Sequence, residues 1–144
     1  MTRTGDLQRS NVELVRRAVD AFQRGDLDGV LAEAREDFEI FLPRNLPNSG
    51  TFHGRDGYFT WIGQWLDAWD DFSVEIAEMQ PAGERHVVAT MRQSGLGKGS
   101  RIPVEMEIAY MWEVRDGRLA VLHLYPSSEE AMQVAERRER EGAE

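Results

Sequence analysis

Apolar and polar positions alternate along the chain with two periods. Val12, Val15, Val19 and Phe22 recur at helical spacing, with Arg16, Arg17, Asp20 and Gln23 on the other side. Ser10-Asn11-Val12-Glu13 reads as an S-x-x-E capping box, which starts the helix there and leaves residues 1–10 as a frayed lead. Gly25 closes that helix, and Asp26 caps a short second one carrying Leu27, Val30, Leu31 and Ala34. From Asp37 to Leu42 the period is two, with Phe38, Ile40 and Leu42 opposite Glu39 and Phe41, as in a strand. Pro43 to Gly54 is rich in proline, asparagine and glycine and reads as a loop. A third helix is expected over about 55–69, where Trp61, Trp65 and Trp69 fall at i, i+4 and i+8 and Tyr58 lies one turn earlier.

After Asp70-Asp71 the period of two returns and stays. Phe72, Val74 and Ile76 open one strand, Pro81 to Glu84 turns the chain, and His86 to Gln93 forms the next. Ser94 to Arg101 carries three glycines and reads as a hairpin connection. Ile102 to Arg115 is a long strand with Met106, Ile108, Tyr110 and Trp112 on one face and Glu105, Glu107 and Glu113 on the other. Asp116-Gly117 is a strong hairpin signal, Leu119 to Tyr125 the last strand, and Ser127 the cap of a final helix with a charged end. Helices gathered before and after an antiparallel meander indicate an α+β fold, with an apolar sheet face curled over the helices.

Length and charge narrow the classes. The 144 residues suit a single domain. The absence of cysteine removes thiolate catalysis and disulfides, and three scattered histidines make a metal site unexpected. A net charge of −9 argues against binding nucleic acid or anionic membranes. Met1 to Ser10 lacks the apolar centre of a signal peptide, so a cytoplasmic location is expected. Gly95-Leu96-Gly97-Lys98-Gly99-Ser100 looks like a phosphate loop but opens no helix, so a hairpin turn is the better reading.

Gly25-Asp26-Leu27-Asp28-Gly29-Val30, the strand from Asp37, and Trp112 to Leu119 reached through Gly99 to Glu105 closely resemble the SnoaL-like branch of the nuclear-transport-factor-2-like (NTF2-like) superfamily, over about residues 11–135. The resemblance implies a cone-shaped half-barrel, a curved antiparallel sheet wrapped around N-terminal helices, with a deep pocket and a C-terminal helix. Its members include ketosteroid isomerases, polyketide cyclases and epoxide hydrolases, as well as binding proteins. Carried over residue by residue, the isomerase general base falls at Leu42, its oxyanion-hole tyrosine at Ala18 and its protonated aspartate near Tyr110. Leucine accepts no proton and alanine donates none, so isomerisation by those groups is not expected. The acidic residue of the cyclases falls near His123, an imidazole.

Bare alternation on the last strand puts His123 and Tyr125 on one face with Leu119 and Val121. His123 is then the candidate acid–base group, because imidazole titrates near neutrality. Tyr110 is the candidate donor to a carbonyl or oxyanion, with Tyr125 or Arg92 helping. Trp61, Trp65, Leu42, Met106, Ile108 and Trp112 are expected in an aromatic, apolar wall. Three readings stand open: a cofactor-free enzyme acting on a small apolar carbonyl, hydroxyl or epoxide compound, a non-catalytic binder of such a ligand, and an interaction module. A homodimer through the outer sheet face is expected, although Glu105, Glu107 and Glu113 would crowd there.

Overall fold

A computed structural model describes residues 4–42 and 50–142. Helices α1 (Thr4–Gln23) and α2 (Leu27–Ala32) lead into strand β1 (Ala34–Leu42). A short strand β2 (Gly50–His53) and helix α3 (Gly54–Asp67) follow. The meander is β3 (Trp69–Ala82), β4 (His86–Gly97), β5 (Pro103–Arg115) and β6 (Arg118–Tyr125), and helix α4 (Ser128–Gly142) ends the fold. The six strands form one curved sheet in the order β2-β1-β6-β5-β4-β3. The meander is antiparallel as its period predicts, but β1 pairs parallel with β6, so the sheet is mixed.

The inner face carries the main core. Phe38, Ile40 and Leu42 of β1, Val87, Ala89 and Met91 of β4, Ile108 and Trp112 of β5, and Leu122 and Leu124 of β6 pack against Val15, Ala18 and Val19 of α1 and Trp61, Ile62 and Trp65 of α3. The outer face carries a smaller core, where Val88, Ala109 and Met111 meet Ala131 and Ala135 of α4. β4 and β5 are therefore covered on both faces over their central residues, which accounts for their near-continuous apolar runs.

Several boundaries depart from the local pattern: β1 begins at Ala34, a position expected on the second helix, and β4 runs on to Gly97 through residues expected as the hairpin connection. α1 begins at Thr4 rather than at Ser10. Its extra turns are held from outside, by Gln8 Nε2 donating to the Gly83 carbonyl at 3.2 Å and Asn11 Nδ2 to that of Glu84 at 2.7 Å. Trp69 leaves the helical tryptophan row and opens β3, because it pairs with Gly97 across the ladder. β2 was expected as loop; its four residues pair antiparallel with β1, while positions 43–49 of that expected loop lie outside the described residues. The caps and the last hairpin turn follow their local signals. Asp26 accepts from the Gly29 amide at 2.9 Å, Ser127 accepts from that of Glu130 at 3.2 Å, and Asp116-Gly117 turns with both φ angles positive, as a two-residue hairpin requires.

A clasp fixes α4 to the β3–β4 turn. The Glu139 carboxylate accepts from His86 Nδ1 at 2.5 Å and from the amides of Arg85 and Glu84 at 2.9 and 3.1 Å. His86 is fully buried. Burial pushes the Glu139 carboxyl up, but the bonds from His86, Glu84 and Arg85 outweigh this and hold it below its ordinary value. Gly83 lets the carboxylate approach: at φ +70°, a Cβ there would lie 2.4 Å from Glu139 Cγ, Cδ and Oε1.

Candidate functional site

A cavity lies between the inner sheet face and helices α1 and α3. Trp61, Ile62, Trp65 and Tyr58 line it from α3, Ala18, Val19 and Phe22 from α1, Phe38 from β1, Phe72 and Val74 from β3, and Met91, Gln93, Tyr110, Trp112 and Leu122 from the centre of the sheet. It encloses about 40 Å³, the space of about three waters in the same measure. Phe22, Phe72 and Val74 are partly exposed, which puts the mouth between the C-terminal end of α1 and β3. There Phe22 and Phe72 meet edge to face at 6.3 Å.

Among the described residues, polar groups in this lining are few and none is ionised at neutral pH. Gln93, 2% exposed, donates from Nε2 to the Tyr110 hydroxyl at 2.7 Å. Gln93 lies opposite Met106 in the ladder and reaches along the strands to Tyr110, which lies opposite the small Ala89. Burial pushes the Tyr110 hydroxyl well above its ordinary value, and the bond from Gln93 opposes that shift without reversing it. Tyr58 is raised by burial too, with Tyr110 adding to the shift. Gln93 Oε1 and the indole Nε1 atoms of Trp61, Trp65 and Trp112 are buried with no hydrogen-bond partner among the described residues. Such groups are costly to leave unpaired.

The structure brings together some of the expected site residues and separates others. Tyr110, Trp61, Trp65 and Trp112 line one cavity. Leu42 and Ile108 are buried in the core around it, and Met106 packs on that core partly exposed. Arg92 points the other way and spans the outer face between its direct cross-strand neighbours, 3.2 Å from Glu75 and 3.3 Å from Glu107. Glu107 thereby has an opposing arginine, and Glu113, almost fully buried, has Arg115 at 3.1 Å.

His123 and Tyr125 also lie on the outer face. The reason is one extra residue in β6. Val114 pairs with Leu119 while Glu113 pairs with Val121, so Ala120 is a bulge. The alternation changes phase there: Leu119 and Leu122 both belong to the inner core, and Val121 and His123 both line an outer groove. In that groove the His123 ring stacks on Phe41 at 4.5 Å and on Tyr125 at 6.1 Å. Asp37, Glu39, Arg115 and Arg138 border it. Burial, then Arg138 and His86, push the imidazole down to about 4, so it is neutral at pH 7. The expectation that His123 shares the floor of the cavity with Tyr110 is thus corrected, because the sheet stands between them.

Gln93 lines the cavity without having been among the residues expected there. Its signal was available, since it continues the inward row Val87, Ala89, Met91 at a period of two, where a polar side chain faces the core. His53 is exposed at the start of α3 and its Nδ1 lies 3.6 Å from Glu39. Among the described residues no three His, Asp or Glu side chains come together as a metal site, and no helix is long and apolar enough to cross a membrane.

The comparisons fit this architecture. The sequence model of the SnoaL-like domain matches residues 15–122. The chain belongs to the SnoaL-like domain family. No curated protein matches the sequence. Among solved structures, this SnoaL-like chain is similar to an NTF2-like protein of unknown function from Burkholderia pseudomallei, at 21% identity and a TM-score of 0.73, covering 88% of this chain and 97% of that one. It is similar to a protein assigned as a SnoaL-like polyketide cyclase from Jannaschia sp., at 17% identity and a TM-score of 0.74, covering 94% and 97%. A protein with a ketosteroid isomerase-like fold from Catenulispora acidiphila matches at 19% identity and a TM-score of 0.68, covering 80% and 85%. At these identities the likeness to solved structures establishes the fold, and a SnoaL-like fold hosts unrelated activities.

Proposed function

We propose that this SnoaL-like protein binds a small, neutral, largely apolar molecule in the inner cavity and holds it without proton transfer by a side chain. The observation that carries this reading is the lining itself. Among the described residues it offers aromatic and aliphatic walls, one Gln93–Tyr110 pair and no carboxylate, imidazole or amine. A general base must reach the proton it removes. His123 does not, because it lies across the sheet. Tyr110, with its hydroxyl raised by burial, stays protonated at neutral pH and acts as a hydrogen-bonding group. A bound anion would leave a buried charge with no cation among the described lining residues, which argues against acids as ligands.

The native emission tests this directly, since three of the four tryptophans, Trp61, Trp65 and Trp112, line the cavity. Titration with dichloromethane, whose three heavy atoms suit the space of about three waters, is expected to quench that emission saturably, and mass spectrometry after long incubation with small apolar carbonyl and epoxide compounds is expected to recover them unaltered. Unchanged emission would remove the binding reading. Conversion that Tyr110→Phe abolishes would make the protein an enzyme working through its phenol.

A further inference from the structure

The Gln93–Tyr110 pair is built to take a hydroxyl group, and we infer that the ligand class is small neutral alcohols rather than hydrocarbons, ketones or acids. The inference rests on the binding reading above and narrows it. With Gln93 Nε2 donating to the Tyr110 oxygen, the phenol proton is free to be donated, and Gln93 Oε1 is left as a buried acceptor with no partner among the described residues. Turning the amide over reverses the roles, because the Tyr110 hydroxyl then donates to Oε1 while Nε2 becomes the free donor and the phenol oxygen the free acceptor. Either way the pair presents a free acceptor beside free donors, the second amide N–H adding one in each arrangement, inside an apolar cavity.

A ligand carbonyl satisfies the donor and leaves the acceptor orphaned. A ligand hydrocarbon satisfies neither. A ligand hydroxyl donates and accepts through a single oxygen, so it completes the pair in both arrangements. A site built around buried polar groups discriminates against analogues that leave them unpaired. The indole Nε1 donors of Trp61, Trp65 and Trp112 supply further partners for oxygen elsewhere on the molecule.

The test compares ethanol, propane and acetaldehyde as probes, each of three heavy atoms to suit the cavity, with dissociation constants read from titration of the indole N–H resonances of the full chain. The ratio of the propane constant to the ethanol constant cancels apolar burial when wild type and variant are compared. That ratio is expected to fall about tenfold in Gln93→Leu, with propane binding retained. Tyr110→Phe is expected to lower it similarly and serves if Gln93→Leu does not fold. A ratio unchanged within twofold, with all three probes still binding, would overturn the hydroxyl inference and leave the pocket reading standing. Failure of all three probes to bind wild type would overturn both.

Discussion

Gly83→Ala should loosen α4 by a predictable amount, and by a route that a second substitution can isolate. The backbone at Gly83 has φ +70°, a region costing an alanine about 1 kcal/mol. The added Cβ would meet three Glu139 atoms at 2.4 Å, so the glutamate must swing away. It then gives up its bonds from His86, Arg85 and Glu84. The exposed Glu84 amide can turn to water, but His86 Nδ1 is fully buried and cannot. An orphaned buried donor, with the weaker losses beside it, costs about 2–3 kcal/mol. Gly83→Ala should therefore destabilise by about 3–4 kcal/mol, and Glu139→Ala alone by about 2–3 kcal/mol. Once Gly83→Ala has displaced the glutamate, truncating it removes nothing more, so the double variant should match Gly83→Ala. The assay is a double-mutant cycle from urea unfolding with unchanged slopes. If the double variant instead loses the sum of the two single effects, the steric coupling between Gly83 and Glu139 is wrong.

Further outcomes follow from the same geometry. Tyr110→Phe leaves Gln93 Nε2 buried and unpaired and should cost about 1–3 kcal/mol, while Tyr110→Phe with Gln93→Leu should be closer to wild type in urea, since both partners are then apolar. The His123 ring protons should titrate at about 4 by NMR; a midpoint near the ordinary 6.5 would refute the buried stack on Phe41. Because that value is depressed, the unfolded chain takes up this proton first, so His123 favours folding least once pH has fallen from 6.5 through about 4, and His123→Phe should flatten that part of the pH–stability profile. Glu139 is held below its ordinary 4.5, so its contribution is complete above that pH and is lost as pH falls further; Glu139→Gln should remove this acid-side slope, as followed by thermal unfolding at stepped pH.

Much of the fold was legible because its signals are local. The caps at Asp26 and Ser127, the Asp116-Gly117 turn and the period of two through β3 to β6 act within a few residues. What escaped was set by distant partners. The early start of α1 depends on carbonyls of the β3–β4 turn some 75 residues away. Trp69 becomes strand through Gly97, and β1 finds β6 in parallel. The site divided along the same line. Tyr110 and the Trp61–Trp65 wall came from unbroken periodicity, and so would Gln93 have done. His123 was misplaced by the bulge at Ala120, which leaves no mark in the residues themselves and turns every later side chain of β6 over.

The place where an apolar probe settles tests the inner cavity most directly. Crystals pressurised with xenon, with the gas located from its anomalous scattering, show it. A peak is expected on the inner face of the sheet, among Trp61, Trp65, Trp112 and Tyr110. A peak beside Phe41 and His123 in the outer groove, with the inner cavity unaltered, would contradict it.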